Sequence, residues 1–321
     1  MSSRPLFTPV ELFDGFDPDE PGSYLDTFDF CTYLATRQPT TTSDQRIEWA
    51  EQDQRITDAR DAFVANQHCV AIMGGHKVRR NEDTYRFIAD LARRLASVDI
   101  VITSGGGPGA MEATQLGAAL AGRSNEALDH AIDLLSSVPL FPPGMTKVVR
   151  PDGSVDRSLI GALHTWQAPA FTLLGQLADD GPVHPSLSVP TWFYGHEPPT
   201  PFATHIAKYV SNALREDGLL AIARHGVVYA PGEAGTLQEV FQDASQNAYL
   251  SHGWFSPMCF LDLPFQGVDR WWTNQFPIEH LLRPLFGHAD YEQYVRITSD
   301  LDEAEAFLQA FAPVSPSPLP S

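Results

Sequence analysis

Two stretches of this chain carry the residue types that hold an anion. Gly105-Gly106-Gly107-Pro108-Gly109 runs into Ala110-Met111-Glu112, and Pro231-Gly232-Glu233-Ala234-Gly235 runs into Thr236-Leu237-Gln238-Glu239. Glycine lets backbone amides approach an anion closely, and a helix start adds free N–H groups and about half a positive charge. One such turn is as often tight packing as a ligand site, but two on one sheet edge point to phosphate. Ser104 precedes the first turn, and Gly74-Gly75 closes an earlier apolar run. Glu239 lies one helical turn beyond Gly235-Thr236 and so faces whatever those amides hold. Beside a sugar, a carboxylate can stabilise oxocarbenium-like charge and activate water. An ordinary Glu complementing the helix dipole is the plain alternative.

The elements around these turns read as an alternating α/β pattern. HCVAIM (68–73) and DIVIT (99–103) are strands, and EDTYRFIADLARRLAS (82–97) is a helix with Tyr85, Ile88, Leu91, Ala92 and Leu95 on one face. AMEATQLGAALA (110–121) is the next helix, which completes a parallel βαβ unit. Further on, helices are expected at 126–137, 158–178 and 202–224, the last with a break at Gly218, and at 236–249, 268–286 and 300–312. Strands are expected at 187–194, with Pro190 near one end, at 226–230 and at 257–263. Residues 1–42 read as an extended arm packed through Phe13, Phe16, Tyr24, Phe28 and Phe30, and 43–66 as a helix capped by Ser43 or Asp44. The expected fold is α/β, a Rossmann-like doubly wound parallel sheet flanked by helices. Residues 1–67 form an N-terminal extension, 68–312 the domain with an insertion at 124–186, and 313–321 a disordered Pro/Ser tail.

Composition narrows the function. The 321 residues carry a formal charge of −19, which repels phosphate polymers and anionic membrane surfaces. Only Lys77, Lys147 and Lys208 are lysines, so the positive charge is mostly arginine, the residue suited to bidentate phosphate contacts. Three distant cysteines (Cys31, Cys69, Cys259) suit a reduced, cytoplasmic setting. The N-terminus has no signal-peptide core and no window is long and apolar enough for a membrane span. Residues 105–110 match G-x-G-x-x-A, but after the second strand rather than the first, and no Gly-Lys-Ser/Thr follows. No HExxH, HxH or CxxC occurs, so no metal site and no cofactor are expected. His76 and Glu197-Pro198-Pro199 fall in loops where a ligand contact or a plain turn fits equally, and Trp271-Trp272 with Phe276 read as packing.

SGGGPGAMEA (104–113) and PGEAGTLQE (231–239) resemble the paired motifs of the LOG ("lonely guy") family, formerly labelled lysine decarboxylase-like. Residues 196–236 are most similar to its nucleotide 5′-monophosphate nucleosidase branch, and CVAIMGGH (69–76) is similar to the family's first strand and turn. The resemblance covers about 68–312, without 1–67, the tail or most of 124–186. It implies a Rossmann-like domain, a homodimer or higher homo-oligomer, that cleaves the N-glycosidic bond of a nucleoside 5′-monophosphate. The products are a free base and ribose 5-phosphate. It implies a catalytic role for Glu239 and matches Arg215, one residue further from the motif than expected, to the family arginine. A small nucleotide is thus the implied partner. Its binding residues are Gly74, Gly75, Ser104, Gly105, Gly106, Gly107, Gly109, Met111, Glu112, Pro231, Gly232, Glu233, Gly235 and Thr236.

Glu233 departs from the pattern, because the family has glycine there. A carboxylate in a phosphate-cradling turn repels an anion by on the order of 1 kcal/mol near a surface. Either its side chain points away or the ligand differs. This favours a second reading, a non-catalytic carrier or sensor of a phosphorylated ligand, for which molybdenum-cofactor carriers of similar fold are the precedent.

Overall fold

The computed structural model describes residues 6–37, 41–179, 181, 183–193 and 195–311. The expected tail, 313–321, lies outside the described residues. In chain order the elements are α1 (Pro9–Leu12), α2 (Phe28–Thr36), α3 (Ser43–Val64), β1 (His68–Met73), α4 (Asp83–Ala96), β2 (Ile100–Ser104), α5 (Ala110–Ala119), α6 (Asn125–Leu135) and α7 (Arg157–Asp179). Then come β3 (Ser186–Ser188), β4 (His205–Ile206), α8 (Asn212–Ile222), β5 (Val227–Tyr229), α9 (Ala234–Tyr249), β6 (Met258–Leu261), α10 (Glu279–Tyr294), β7 (Val295–Thr298) and α11 (Leu301–Ala310).

The seven strands form one parallel sheet in the order β4-β3-β2-β1-β5-β6-β7. This is the expected Rossmann-like, doubly wound α/β fold. The chain steps outward from β1 to β4 on one side, then crosses to β5 and steps outward again. The reversal lies between β1 and β5, and ligands of such sheets bind outside the carboxyl ends of the strands at that point. The central strands are buried along nearly their whole length, as a sheet covered on both faces requires. Helix α4 buries the face its sequence spacing marks out: Tyr85, Ile88, Leu91, Ala92 and Leu95 are all inaccessible.

The N-terminal segment is not an extended arm. Thr8 and Glu11 form a capping box that starts α1, and Thr27 caps α2 through the Phe30 amide. A 3₁₀ turn at Pro21–Asp26 joins them. Phe13, Tyr24 and Phe30 are buried, and the rings of Phe13 and Phe16 lie 4.9 and 4.6 Å from Phe171 of α7. Phe7 pairs antiparallel with Ile206 and so extends the sheet edge. Helix α3 is capped by Thr42 with Gln45, not by Ser43 or Asp44.

The long helix expected over 202–224 is the largest error. Residues 205–206 form β4, Tyr209 bridges to Thr191, and the helix begins only at Asn212, with Gly218 inside it. The reason lies in α3. Asp53 Oδ1 and Oδ2 each accept a backbone N–H, from Val210 and Ser211, at 2.8 Å, which holds those residues outside the helix. The strand expected at 187–194 is shorter, with Pro190 beyond its end. The helix expected at 268–286 is instead a π turn at Trp271–Gln275 followed by α10, which kinks at Gly287. The half-buried edge strand β7 has no counterpart in the sequence reading. Among the described residues, no helix is long and apolar enough to cross a membrane.

Candidate functional site

A cleft of about 280 Å³ opens where β1, β2 and β5 end. Its floor is Gly74-Gly75, wedged between the two glycine-rich turns. The Gly75 N–H donates to Pro231 O (2.9 Å), and Gly75 O accepts from Ala110 N–H (3.1 Å). A Cβ on Gly74 would sit 2.7 Å from Ala110 Cβ and 2.9 Å from Ala230 Cβ, so only glycine lets the turns close on β1. Both turns therefore belong to one site.

Both helices that leave the turns start without a side-chain cap, α5 at Gly109 and α9 at Glu233. First-turn amides that no cap satisfies favour an anion at that end. Arg215 of α8 reaches across from the third side. Its Nε donates to Val189 O (2.7 Å), and its Nη1 lies 3.5 Å from Glu239 Oε1. The guanidinium lies against Gly105, where a Cβ would collide with Nη2. The glycine is what admits the arginine. Helix α8 is in turn held by the N-terminal extension, through Asp53 at its start and through buried Arg60, whose guanidinium packs against Gly218.

Glu239 is buried and has one long contact to Arg215. Burial raises its pKa to about 7, Arg215 opposes the rise, and Glu216 adds to it. Glu216 also lines the cleft; burial raises it as well, and it accepts from Asn212 and Gln238 side chains at 2.9 and 3.0 Å. Behind Glu239, burial lifts Asp243 to about 7, and its Oδ2 accepts from Tyr229 Oη (2.8 Å). The site thus holds carboxyl groups that change protonation near neutral pH.

The side chain of Glu233, the odd residue of the second turn, is taken up by a partner. Its Oε2 lies 2.6 Å from Lys77 Nζ, and its Oε1 accepts from Gln266. The lysine holds the carboxyl below its usual range. The turn therefore carries a neutralised pair at its rim.

Of the sequence-derived binding residues, Gly74, Gly75, Gly105, Gly107, Met111, Glu233, Gly235 and Thr236 line the cleft together with Arg215 and Glu239. Six do not. Glu112 is fully buried on the far side of α5, where Arg80 and Tyr85 take both its oxygens. Its place is structural, because at the third position of α5 the side chain points back into the helix layer. Ser104 Oγ serves the first turn itself by accepting from the Gly106 amide (3.2 Å) and Gln115 Nε2 (3.0 Å). The Gly106 amide is used up in that bond, and Gly109 backs onto Gly75 and His76. Pro231 O accepts from Gly75, and Gly232 O accepts from Trp271 Nε1 (3.0 Å). Trp272 Nε1 donates to Tyr229 O (2.9 Å), so the tryptophan pair packs under the second turn.

The cleft also gathers His76, Pro190, Thr191, Gly195, Glu197 and Glu216. His76 and Glu197 were open candidates, and Glu216 is adjacent to Arg215 in sequence. Nothing in the sequence marks Thr191 or Gly195. Among the described residues no three His, Cys, Asp or Glu side chains converge to hold a metal ion. Compared with protein-family models and with curated proteins, the chain finds no match.

Proposed function

We propose that the cleft hydrolyses the N-glycosidic bond of a nucleoside 5′-monophosphate, releasing the free base and ribose 5-phosphate. The observation that carries this reading is the meeting of Arg215 and Glu239 between two uncapped helix starts. The first-turn amides of α5 beyond Ala110, with those of α9, hold the phosphate. Arg215 orients the ligand beside Gly105. Ionised Glu239 stabilises positive charge on the sugar as the C–N bond breaks and the base departs with the electron pair. Water adds to the anomeric carbon, and its proton passes by way of Glu239 to the departing base.

Glu233 was the main ground for a non-catalytic carrier. Its ion pair with Lys77 weakens that ground, because the repulsion is offset at the rim. The two readings part on one measurement, base release from a panel of nucleoside 5′-monophosphates. Hydrolysis is expected to occur and to vanish in Glu239→Ala. Binding without turnover across the panel overturns it in favour of the carrier.

A further inference from the structure

Beside the turn cleft lies a second one of about 340 Å³. His76, Gly195 and Glu197 belong to both walls, so the two adjoin. Their chemistry differs sharply. The turn cleft presents Arg215, Glu216, Glu233 and Glu239, whereas its neighbour presents Leu140, Phe141, Pro142, Pro143 and Met145. Those apolar residues come from the 124–186 stretch. The segment is held in place: Phe141 packs edge-on against Trp166 (5.1 Å), and the Pro139 carbonyl accepts from the Arg80 amide (3.1 Å).

The inner wall of this second cleft also carries a neutral histidine. His196 is fully buried, its Nε2 hydrogen-bonds to Tyr24 Oη (2.7 Å), and burial, with Lys208 and Arg37 nearby, keeps it neutral. Lys77 is the cation on the wall, and Glu233 neutralises it. A flat, weakly polar ring therefore meets mostly apolar surface here, with the Glu197 carboxylate confined to the wall shared with the turn cleft, while in the turn cleft it would lie against several carboxylates.

We infer that the apolar cleft walled by Leu140, Phe141, Pro142 and Met145 is the base-binding subsite, and that residues 140–146 set which heterocycle is accepted. This rests on the nucleotide reading above. The ribose 5-phosphate half occupies the turn cleft, and the glycosidic bond lies at the shared wall. Glu197 stands at that junction: its Oε2 lies 3.2 Å from where a Cβ on Gly107 would be. It is placed to accept from a ribose hydroxyl or an exocyclic amine. A substrate with a planar aromatic base fits, and one with a charged aliphatic aglycone does not.

The test fills the apolar cleft and leaves the turns alone. Leu140 is 45% exposed, so Leu140→Trp can occupy the opening without disturbing the core. Thr146→Trp, also at an exposed position, fills it from beside Gly195. Affinities for ribose 5-phosphate and for each nucleoside 5′-monophosphate are measured by calorimetry on full-length protein, with thermal melts as a fold check. Both variants are expected to weaken nucleotide binding about tenfold or more, leave ribose 5-phosphate binding unchanged, and reorder the preference among bases. Unchanged nucleotide affinity in both folded variants, with ribose 5-phosphate still bound by wild type, overturns the base subsite and leaves the hydrolase reading standing. Failure of wild type to bind either compound overturns both.

Discussion

Each glycine-rich turn launches a helix with one buried glutamate, and the two glutamates live in opposite surroundings. Glu112 on α5 is held from both sides: Arg80 Nε and Nη2 donate to its two oxygens at 2.8 and 2.7 Å, and Tyr85 Oη donates at 3.0 Å. Among the described residues the Glu239 carboxylate on α9 has only Arg215, at 3.5 Å. A bidentate arginine and a phenol satisfy a carboxylate fully and make it a strut. A carboxylate buried without enough donors keeps its proton to higher pH and stays available for chemistry. On the proposed function, this difference is why one of two similar turns supplies the reactive group: the first would contribute shape and amides, and the second the acid–base residue.

This contrast can be broken most severely at Glu112. Glu112→Ala leaves Arg80 buried, stacked on Trp166 and without its counter-charge, and removing one partner of such a pair costs about 3–5 kcal/mol. A large drop in the melting temperature is expected in calorimetry. A near wild-type melt would show that Glu112 is not a strut. The reverse substitution, Glu239→Gln, should leave the fold intact and lower base release by about 10²-fold or more.

The pH dependence sharpens the same comparison. Glu239 titrates at about 7 in the folded protein, raised from an ordinary 4.5. Base release is expected to rise with pH through about 7 as this carboxyl ionises, and a flat profile across that range would remove it as the base. Stability runs the other way. Between 4.5 and about 7 the folded state keeps a proton that the unfolded chain has lost, so this group's contribution falls as pH rises. Glu239→Gln is therefore expected to be more stable than wild type above pH 7, by about 1–3 kcal/mol, in denaturant titrations at pH 8. Asp243 shifts in the same direction and remains in the variant, so the wild-type decline is reduced and not abolished.

The smallest effect concerns the rim. The Lys77–Glu233 pair is half exposed, and Lys77→Met should change stability by less than about 1 kcal/mol. It also frees the Glu233 carboxylate in the turn, so ribose 5-phosphate should bind several-fold more weakly. Lys77→Met/Glu233→Gly should restore binding. Failure of the double variant to recover affinity would mean that the pair does not work through neutralisation.

Much of this was legible in one dimension. Apolar runs ending in glycine marked β1, β2 and β5, and a 3.6-residue spacing marked α4, because burial imposes its period directly on the residues. The two turns carried enough local signal to be singled out, and Glu239 stood out through the resemblance of its motif. The boundary of α8 was not legible, since the residue that sets it, Asp53, lies more than 150 positions away. The role of the N-terminal extension was hidden for the same reason: its caps are local, but its purpose, holding the helix that bears Arg215, is a tertiary contact.

By itself the sequence determined the class of fold and the pairing of two glycine-rich turns on one sheet edge, and the motif resemblance picked out the carboxylate between them. These follow from local rules: glycine where backbones must approach, and an apolar period where a face is buried. Only the tertiary structure decided that Glu112 is a strut and Glu239 is poised, that Lys77 neutralises Glu233, and that the 140–146 segment walls an apolar cleft beside the site. Each of those depends on the number and charge of neighbours brought together by folding. A carboxylate's protonation and reach are set by that shell of donors, which residue type alone does not specify.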